Sequence, residues 1–505
     1  MTTATVRVDK NFRIGAIDRR IFGSFIEHMG RGVYGGVYDP GHPSAVADTG
    51  FRGDVLELTR ELGATTIRYP GGNFVSSHRW EDGVGPLENR PRTVDLAWRT
   101  VETNAFGLHE FMDWTDRAGV DPYMVVNLGT RGPGEAAALV EYCNVAKGTT
   151  LAELRQKNGA ADPFGVRLWG LGNEMDGSWQ VGHRSARSYG EVAGQAAQAM
   201  KLVDSSIETV LCGSSNMTMS TYASWEAEAL DAAYEHVDYV SLHQYYDPEK
   251  YDEQSFLASA CAMDRHIEDV IAAVDFVRAR QRRQRRIHLA YDEWNVWYQS
   301  RFREPYEWSS MSDGPRAIIE DDFTVRDAVV AGSLLMTLLR HADRVRIACQ
   351  AQLVNVIAPI RTFGATSAWK QPIFHPFALT ARHARGDVLR PELSAPTIDT
   401  DRFGPVPAVD VVATHDETDG GIALFAVNRS RQPITLHGTA TGFGRLAVTG
   451  HQALADDDTS AVNTPENPLR VRPRDLPITS AEAGNCRQTL PPVSWNLITL
   501  APAAP

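Results

Sequence analysis

The run Arg167-Leu-Trp-Gly-Leu-Gly-Asn-Glu174 is short and apolar until it ends in polar residues. Beyond it, Ala186, Tyr189, Val192, Ala193, Ala196, Ala197, Met200 and Val203 recur at intervals of three and four, the spacing of one buried helix face. This strand-then-helix unit repeats on both sides. Strands are predicted at Ile21–Ile26, Thr65–Tyr69, Tyr123–Asn127, Arg167–Leu171, Thr209–Cys212, Tyr239–His243, Ile287–Tyr291 and Val345–Cys349. Helical spacing lies between them over Asp54–Leu62, Phe106–Ala118, Gly134–Val145, Tyr222–Tyr234, Phe256–Arg280 and Thr324–His341. Parallel strands need crossover connections, so eight such units predict an α/β chain closed as a (β/α)8 TIM barrel. A doubly wound open sheet is the alternative.

After about residue 388 the pattern changes. Val409–Thr414, Gly421–Asn428, Ile434–Thr439 and Trp495–Leu500 alternate or run apolar between Gly, Pro, Asp and Asn clusters, which predicts a C-terminal antiparallel β-sandwich. Thr5–Val8 reads as a further strand of that sheet, and Asp456–Pro477 as loop. The expected division is an N-terminal strand segment (1–18) joining the sandwich, a catalytic barrel (19–385) and the sandwich itself (386–505). A barrel absorbs about 250 residues or more, so two units account for the 505-residue length.

The net charge of −13 argues against nucleic acid or an anionic membrane as a partner. The first ten residues lack the apolar run of a signal peptide, and no segment nears the roughly 18 apolar residues of a membrane span. Five scattered cysteines without CxxC spacing read as buried free thiols. A cytoplasmic protein is expected. Gly132-Pro-Gly-Glu-Ala-Ala137 matches a dinucleotide fingerprint only in letters, because Leu128–Arg131 intervene after the strand and Pro133 lacks an N–H. It reads as a helix-start turn, and no cofactor is expected. The six arginines within Arg278–Arg286 read as a solvated helix end rather than a phosphate patch. His109-Glu110 is followed by Asp113 where a zinc site would need a second His, so no metal is expected.

Two carboxylates stand out by position. Glu174 closes the fourth predicted strand, and Glu293 follows the seventh in Ile287-His-Leu-Ala-Tyr-Asp-Glu-Trp-Asn295. Barrel enzymes gather their catalytic groups at the C-terminal strand ends. Two acids on separated strands suit glycoside hydrolysis, which needs one protonated and one ionised carboxyl. Other strand ends carry Glu27-His28, Arg68-Tyr-Pro-Gly-Gly-Asn73, His243-Gln-Tyr-Tyr246, and Gln350 with Gln352. Trp294 and Trp297 are expected as stacking platforms for a sugar.

The stretches Phe22-Gly-Ser-Phe-Ile-Glu-His28, Arg68-Tyr-Pro-Gly-Gly-Asn-Phe74, Trp169-Gly-Leu-Gly-Asn-Glu-Met175, Ser241-Leu-His-Gln-Tyr-Tyr246, Asp292-Glu-Trp-Asn-Val-Trp297 and Ala351-Gln-Leu-Val-Asn-Val-Ile357 resemble glycoside hydrolase family 51, and within it the intracellular α-L-arabinofuranosidases. The likeness runs in order from about residue 12 to 385, and more loosely through Pro491–Leu500. It implies a retaining double displacement on arabinose-containing oligosaccharides, from arabinan or arabinoxylan, with Glu174 as acid/base and Glu293 as nucleophile. It also implies that Asn173 binds the sugar 2-hydroxyl, that Glu27, Arg68, Asn73 and Gln352 hold the furanose or its surroundings, and that Trp297 lines the pocket. Arg68 would sit beside Glu293 as its counter-cation. Tyr245 corresponds to a tyrosine near the nucleophile, with the choice between it and Tyr246 left open. The loop Gln299–Asp321 matches least well and is expected on the leaving-group side. A homo-oligomer, with a hexamer as the suggested number, is implied by the resemblance alone.

Another retaining glycosidase on the same barrel, a β-xylosidase or an endoglucanase, is the alternative enzyme; a non-catalytic carbohydrate-binding barrel is the alternative of another class. A retaining pair should stand about 5–5.5 Å apart, whereas a gap of roughly 8 Å would indicate inversion.

Overall fold

The computed structural model describes residues 2–303, 311–312, 314–478 and 485–503. Eight parallel strands close into a barrel in chain order: β1 (Gly23–Phe25), β2 (Thr66–Tyr69), β3 (Asp121–Val126), β4 (Leu168–Leu171), β5 (Glu208–Leu211), β6 (Tyr239–Tyr246), β7 (His288–Val296) and β8 (Val345–Gln350). The interior is packed by Tyr123, Val125, Leu168, Val210, Tyr239, Ala290, Ile347 and Cys349. It is a core and not a pore, as side chains from successive strands fill it in layers.

The first strand is shorter than its apolar run suggests. Arg19–Phe22 form a 3-10 turn, started by the Asp18 side chain accepting from Arg20 N, so only Gly23–Phe25 join the sheet. β6 and β7 instead run past their expected ends. Glu293 is therefore inside β7 rather than beyond it. The β6–β7 register slips between Ser241 and His243, and the β7–β8 register between Tyr291 and Trp294. Such irregularities re-aim side chains next to active sites. Here the consecutive residues Asp292 and Glu293 both reach the polar centre of the barrel mouth.

Two further sheets pack together beside the barrel. One holds four strands in the order Glu392–Ser394, Thr2–Asp9, Ile434–Thr441 and Asn485–Leu490. The other holds seven, with Val409–His415, Ile422–Asn428 and Ser494–Pro502 at its centre. Its period of two separates two packed faces. Val409, Val411, Ala413, Leu424 and Ala426 meet the four-stranded sheet, while Val412, Phe425, Val427 and Leu497 join the core shared with the barrel. One pairing departs from the antiparallel expectation: Thr2–Asp9 runs parallel to Ile434–Thr441. A strand arriving from the far end of the chain has no hairpin to impose a direction. Asp456–Pro477 is irregular apart from a two-residue strand, Arg474–Asp475. All five cysteines are free, and none of the described helices is long and apolar enough to cross a membrane.

The helix Val325–Arg340 joins the two units. Thr324 and Asp327 form its capping box. The stretch from Ala328 to Leu339 carries no charge and is buried on every side, as a helix wedged between barrel and sandwich must be. At Gly332 the sandwich packs tightly against the helix, for a Cβ there would clash with Cδ1 of the buried Trp495. Gly332→Ala should destabilise the protein by about 1–3 kcal/mol through overpacking, read as a lowered Tm. An unchanged Tm would contradict this account of the junction.

Candidate active site

A cavity of about 750 Å³ opens at the C-terminal end of the barrel. Glu27, Asn73, Glu174, Tyr245, Glu293, Trp297 and Gln352 line it. Arg68 and Asn173 lie directly beneath that lining and are almost fully buried.

Glu293 is held from three sides. Tyr245 donates to its Oε1 (2.6 Å) and Arg68 Nη1 to its Oε2 (3.0 Å), while His243 Nδ1 lies 3.5 Å from Oε2. Tyr246 points elsewhere, with its hydroxyl against Tyr291 (3.4 Å), so alternation along β6 resolves the choice between the two tyrosines in favour of Tyr245. Arg68 Nη2 donates to Asn173 Oδ1 (2.6 Å), and Asn173 Nδ2 donates to Asn73 Oδ1 (3.4 Å).

Glu174 follows β4 with φ = +44°, a left-handed conformation that a side chain other than glycine's adopts at some energetic cost. His243 Nδ1 contacts its Oε1 (3.0 Å), and Trp179 Nε1 donates to its Oε2 (2.9 Å). Burial pushes the Glu174 carboxyl above its usual range; Glu293 adds to this, while His243 and Trp179 oppose it. The surroundings of Glu174 thus shift it toward the protonated form. Burial alone would lower the His243 imidazole, but Glu293, Asp292 and Glu174 override it and carry it up to about 10.

Glu27 accepts from Phe74 N and Trp98 Nε1 (2.9 Å each) and from Gln352 Nε2 (3.3 Å). Burial, with help from Glu293, takes its carboxyl up to about 7. Gly71 permits this arrangement: at φ = +124° it passes so close to Glu27 that a Cβ would fall 2.3 Å from the Glu27 side chain.

An oxygen of Glu174, a nitrogen of His243 and an oxygen of Glu293 lie within 4.8 Å of one another. That is close enough to surround a cation, but His243 Nδ1 is already engaged with Glu174 Oε1 (3.0 Å) and Glu293 with Arg68 and Tyr245. The arrangement works instead as a hydrogen-bonded acid network. Its spacing suits a retaining pair and falls short of the roughly 6.5–9.5 Å of an inverting one.

Trp294 corrects the sequence reading. It is buried in the hydrophobic core and is not part of the cavity lining, because Glu293 faces inward and the next residue of a strand faces away. Gln350 is also buried, donating to Asn295 Oδ1 (3.3 Å). Trp98, Trp179 and Asp292 belong to the site without having been singled out. Asp292 accepts from Tyr123 (2.7 Å) and lies 3.2 Å from His243 Nε2. Within the loop 299–321, Gln299, Phe302 and Ile319 line the cavity, and residues 304–310 and 313 fall outside the described residues.

The chain matches two family models, the α-L-arabinofuranosidase 1 domain over residues 58–261 and the α-L-arabinofuranosidase C-terminal domain over 292–494. It is 49% identical over 508 residues to an intracellular exo-α-(1→5)-L-arabinofuranosidase of Streptomyces lividans, covering 100% of this chain and 76% of that one. It is 48% identical over 504 residues to an exo-α-(1→6)-L-arabinofuranosidase of Bifidobacterium longum, covering 97% and 96%. A solved family 51 α-L-arabinofuranosidase from Bifidobacterium longum superposes with a TM-score of 0.95 at 44% identity, covering 99% of both chains. The chain belongs to the α-L-arabinofuranosidases of glycoside hydrolase family 51. These glycosidases share one barrel and sandwich, and this member carries an asymmetric acid pair at the barrel mouth.

The His243 charge lowers the Glu174 carboxyl, so its removal in His243→Asn should move the alkaline limb of the kcat/KM profile to higher pH. A limb that stays in place, or moves to lower pH, would contradict this coupling.

Proposed function

We propose that the protein is an exo-acting, retaining α-L-arabinofuranosidase that releases terminal arabinofuranose from arabinan- or arabinoxylan-derived oligosaccharides. The single observation that supports this most is the close pairing of Glu174 and Glu293 in unlike surroundings, one raised by burial and one bound to Arg68 and Tyr245. Glu293 attacks the anomeric carbon while Glu174 gives its proton to the departing oxygen. Glu174, now a base, then takes a proton from the water that releases the sugar from Glu293. Asn173 meets the 2-hydroxyl beside the reacting carbon, and Glu27, Asn73, Gln352 and Arg68 orient the furanose and its surroundings. Trp297 closes one wall and stands edge-on to Tyr245, with ring centroids 5.0 Å apart.

Relatives are named for α-(1→5) and α-(1→6) bonds, so linkage preference belongs to the leaving-group side and not to the family as a whole. The name of the Streptomyces relative supports action inside the cell. Assembly as a homo-oligomer is part of the same reading, and rests on the family resemblance.

Hydrolysis of p-nitrophenyl α-L-arabinofuranoside beside the β-D-xylopyranoside tests the sugar. The arabinoside should be cleaved preferentially; activity confined to the xyloside would overturn the reading. Glu293→Ala should lose several orders of magnitude in kcat. Glu174→Ala should lose about 10²–10⁴-fold on poor leaving groups and far less on nitrophenyl, with recovery in azide. Equal losses on both substrates without azide rescue would remove Glu174 from the acid/base role.

A further inference from the structure

The cavity continues outward from the catalytic carboxyls to the segment after β6, where Asp247, Lys250 and Tyr251 join its lining. Arg402 reaches the same place from the turn between the paired strands Thr397–Thr400 and Gly404–Pro407. Its backbone N–H donates to Ser255 Oγ (3.0 Å), which fixes the turn against the barrel. The Arg402 guanidinium carbon lies 4.5 Å from the Tyr251 ring centroid and 4.9 Å from that of Phe403. Lys250 Nζ lies 5.6 Å from the same Tyr251 ring. One phenol therefore holds two cations as neighbours.

Among the described residues neither cation has a carboxylate partner. The nearby Asp247 is already engaged, accepting from Glu249 N (2.9 Å) and Ser300 N (3.1 Å). Glu249 in turn pairs with Arg301. A guanidinium stacked on aromatic faces is held in one plane with its edge donors open, which suits a carboxylate. The opposite, inner end of the cavity is lined by Glu27, Glu174 and Glu293, and the cations beside them, Arg68 and His243, are already engaged with Glu293, Asp292 and Glu174. An anion carried by the substrate thus belongs on the leaving-group side, at the mouth.

We propose that Lys250 and Arg402 form a subsite for a uronate residue in the leaving-group part of the substrate, so that the enzyme prefers arabinofuranosyl oligosaccharides bearing an acidic sugar. This rests on the arabinofuranosidase reading above and names a substrate class within it. The two-stranded hairpin Thr397–Pro407, which precedes the central strands of the sandwich, then contributes directly to specificity, because it supplies one of the two cations.

The test compares kcat/KM for an arabinofuranosyl oligosaccharide carrying a uronic acid with that for the same oligosaccharide after carboxyl reduction. At low ionic strength the acidic form should be preferred roughly 3- to 10-fold, mainly through KM. The preference should collapse in about 0.5 M salt. It should also be lost in the double variant Lys250→Met/Arg402→Met, where the ratio of the two substrates cancels any general loss of activity. Equal kcat/KM for the two forms in the wild-type enzyme would overturn the subsite, as would a preference that survives in the double variant. Wild-type cleavage of the nitrophenyl arabinofuranoside, which carries no acid, separates the two levels. If that substrate is not hydrolysed, the underlying reading falls; if it is, only the subsite is at stake.

Discussion

Arg68 is a buried cation that reaches across the barrel mouth, with one nitrogen on Glu293 of β7 and another on Asn173 beside Glu174. Most of the site depends on that contact. Glu27, Glu174, Asp292 and Glu293 gather in a space that excludes most water, and burial penalises every charge placed there. Arg68 and His243 are the cations that offset it, and they are not shared evenly. Glu293 has the guanidinium and a tyrosine hydroxyl, while Asp292 has Tyr123 and both cations nearby. Glu174 has His243 and an indole N–H, and burial still pushes its carboxyl upward. Two carboxyls of the same chemistry thereby have unlike surroundings, as the proposed division into acid/base and nucleophile requires.

The fold supplies this asymmetry through backbone detail at the strand ends. The register slips around β7 bring two consecutive acids to the same centre, where a regular strand would turn one of them away. The left-handed conformation of Glu174 lifts its carboxyl off the end of β4 toward His243. Gly71 lets the segment after β2 pass over Glu27, which in turn receives the Phe74 amide and the Trp98 indole. Beneath these groups the barrel interior is packed solid, and Tyr123 carries that packing directly into the site through Asp292.

Much of this was legible in the sequence because it follows from period and position. Alternating strand and helix patterns predict eight parallel units, and the residue types where the apolar runs end mark Glu27, Arg68, Glu174, Glu293 and Gln352, with Tyr245 and Tyr246 as alternatives. What escaped depends on geometry that no local pattern encodes. Trp98 lies in the connection between β2 and β3, far from the end of any barrel strand, and reaches Glu27 only because that connection folds back. Trp179, five residues after Glu174, had a signal in its position, but nothing local shows an exposed indole turning back onto the acid. The apolar run of β7 ends at Tyr291, but the strand continues to Val296, and alternation along it buries Trp294. The parallel pairing of the N-terminal strand is likewise set by its partners in the sandwich.

In the proposed reaction Glu293 carries the sugar between the two halves while Glu174 handles the proton. Incubation with a 2-deoxy-2-fluoro arabinofuranosyl donor bearing a good leaving group, followed by peptide mass spectrometry, tests it most directly. The fluorine slows breakdown of the glycosyl intermediate, so the sugar should remain covalently attached to the peptide containing Glu293. A label on Glu174, or steady turnover with inversion and no labelled peptide, would contradict the account.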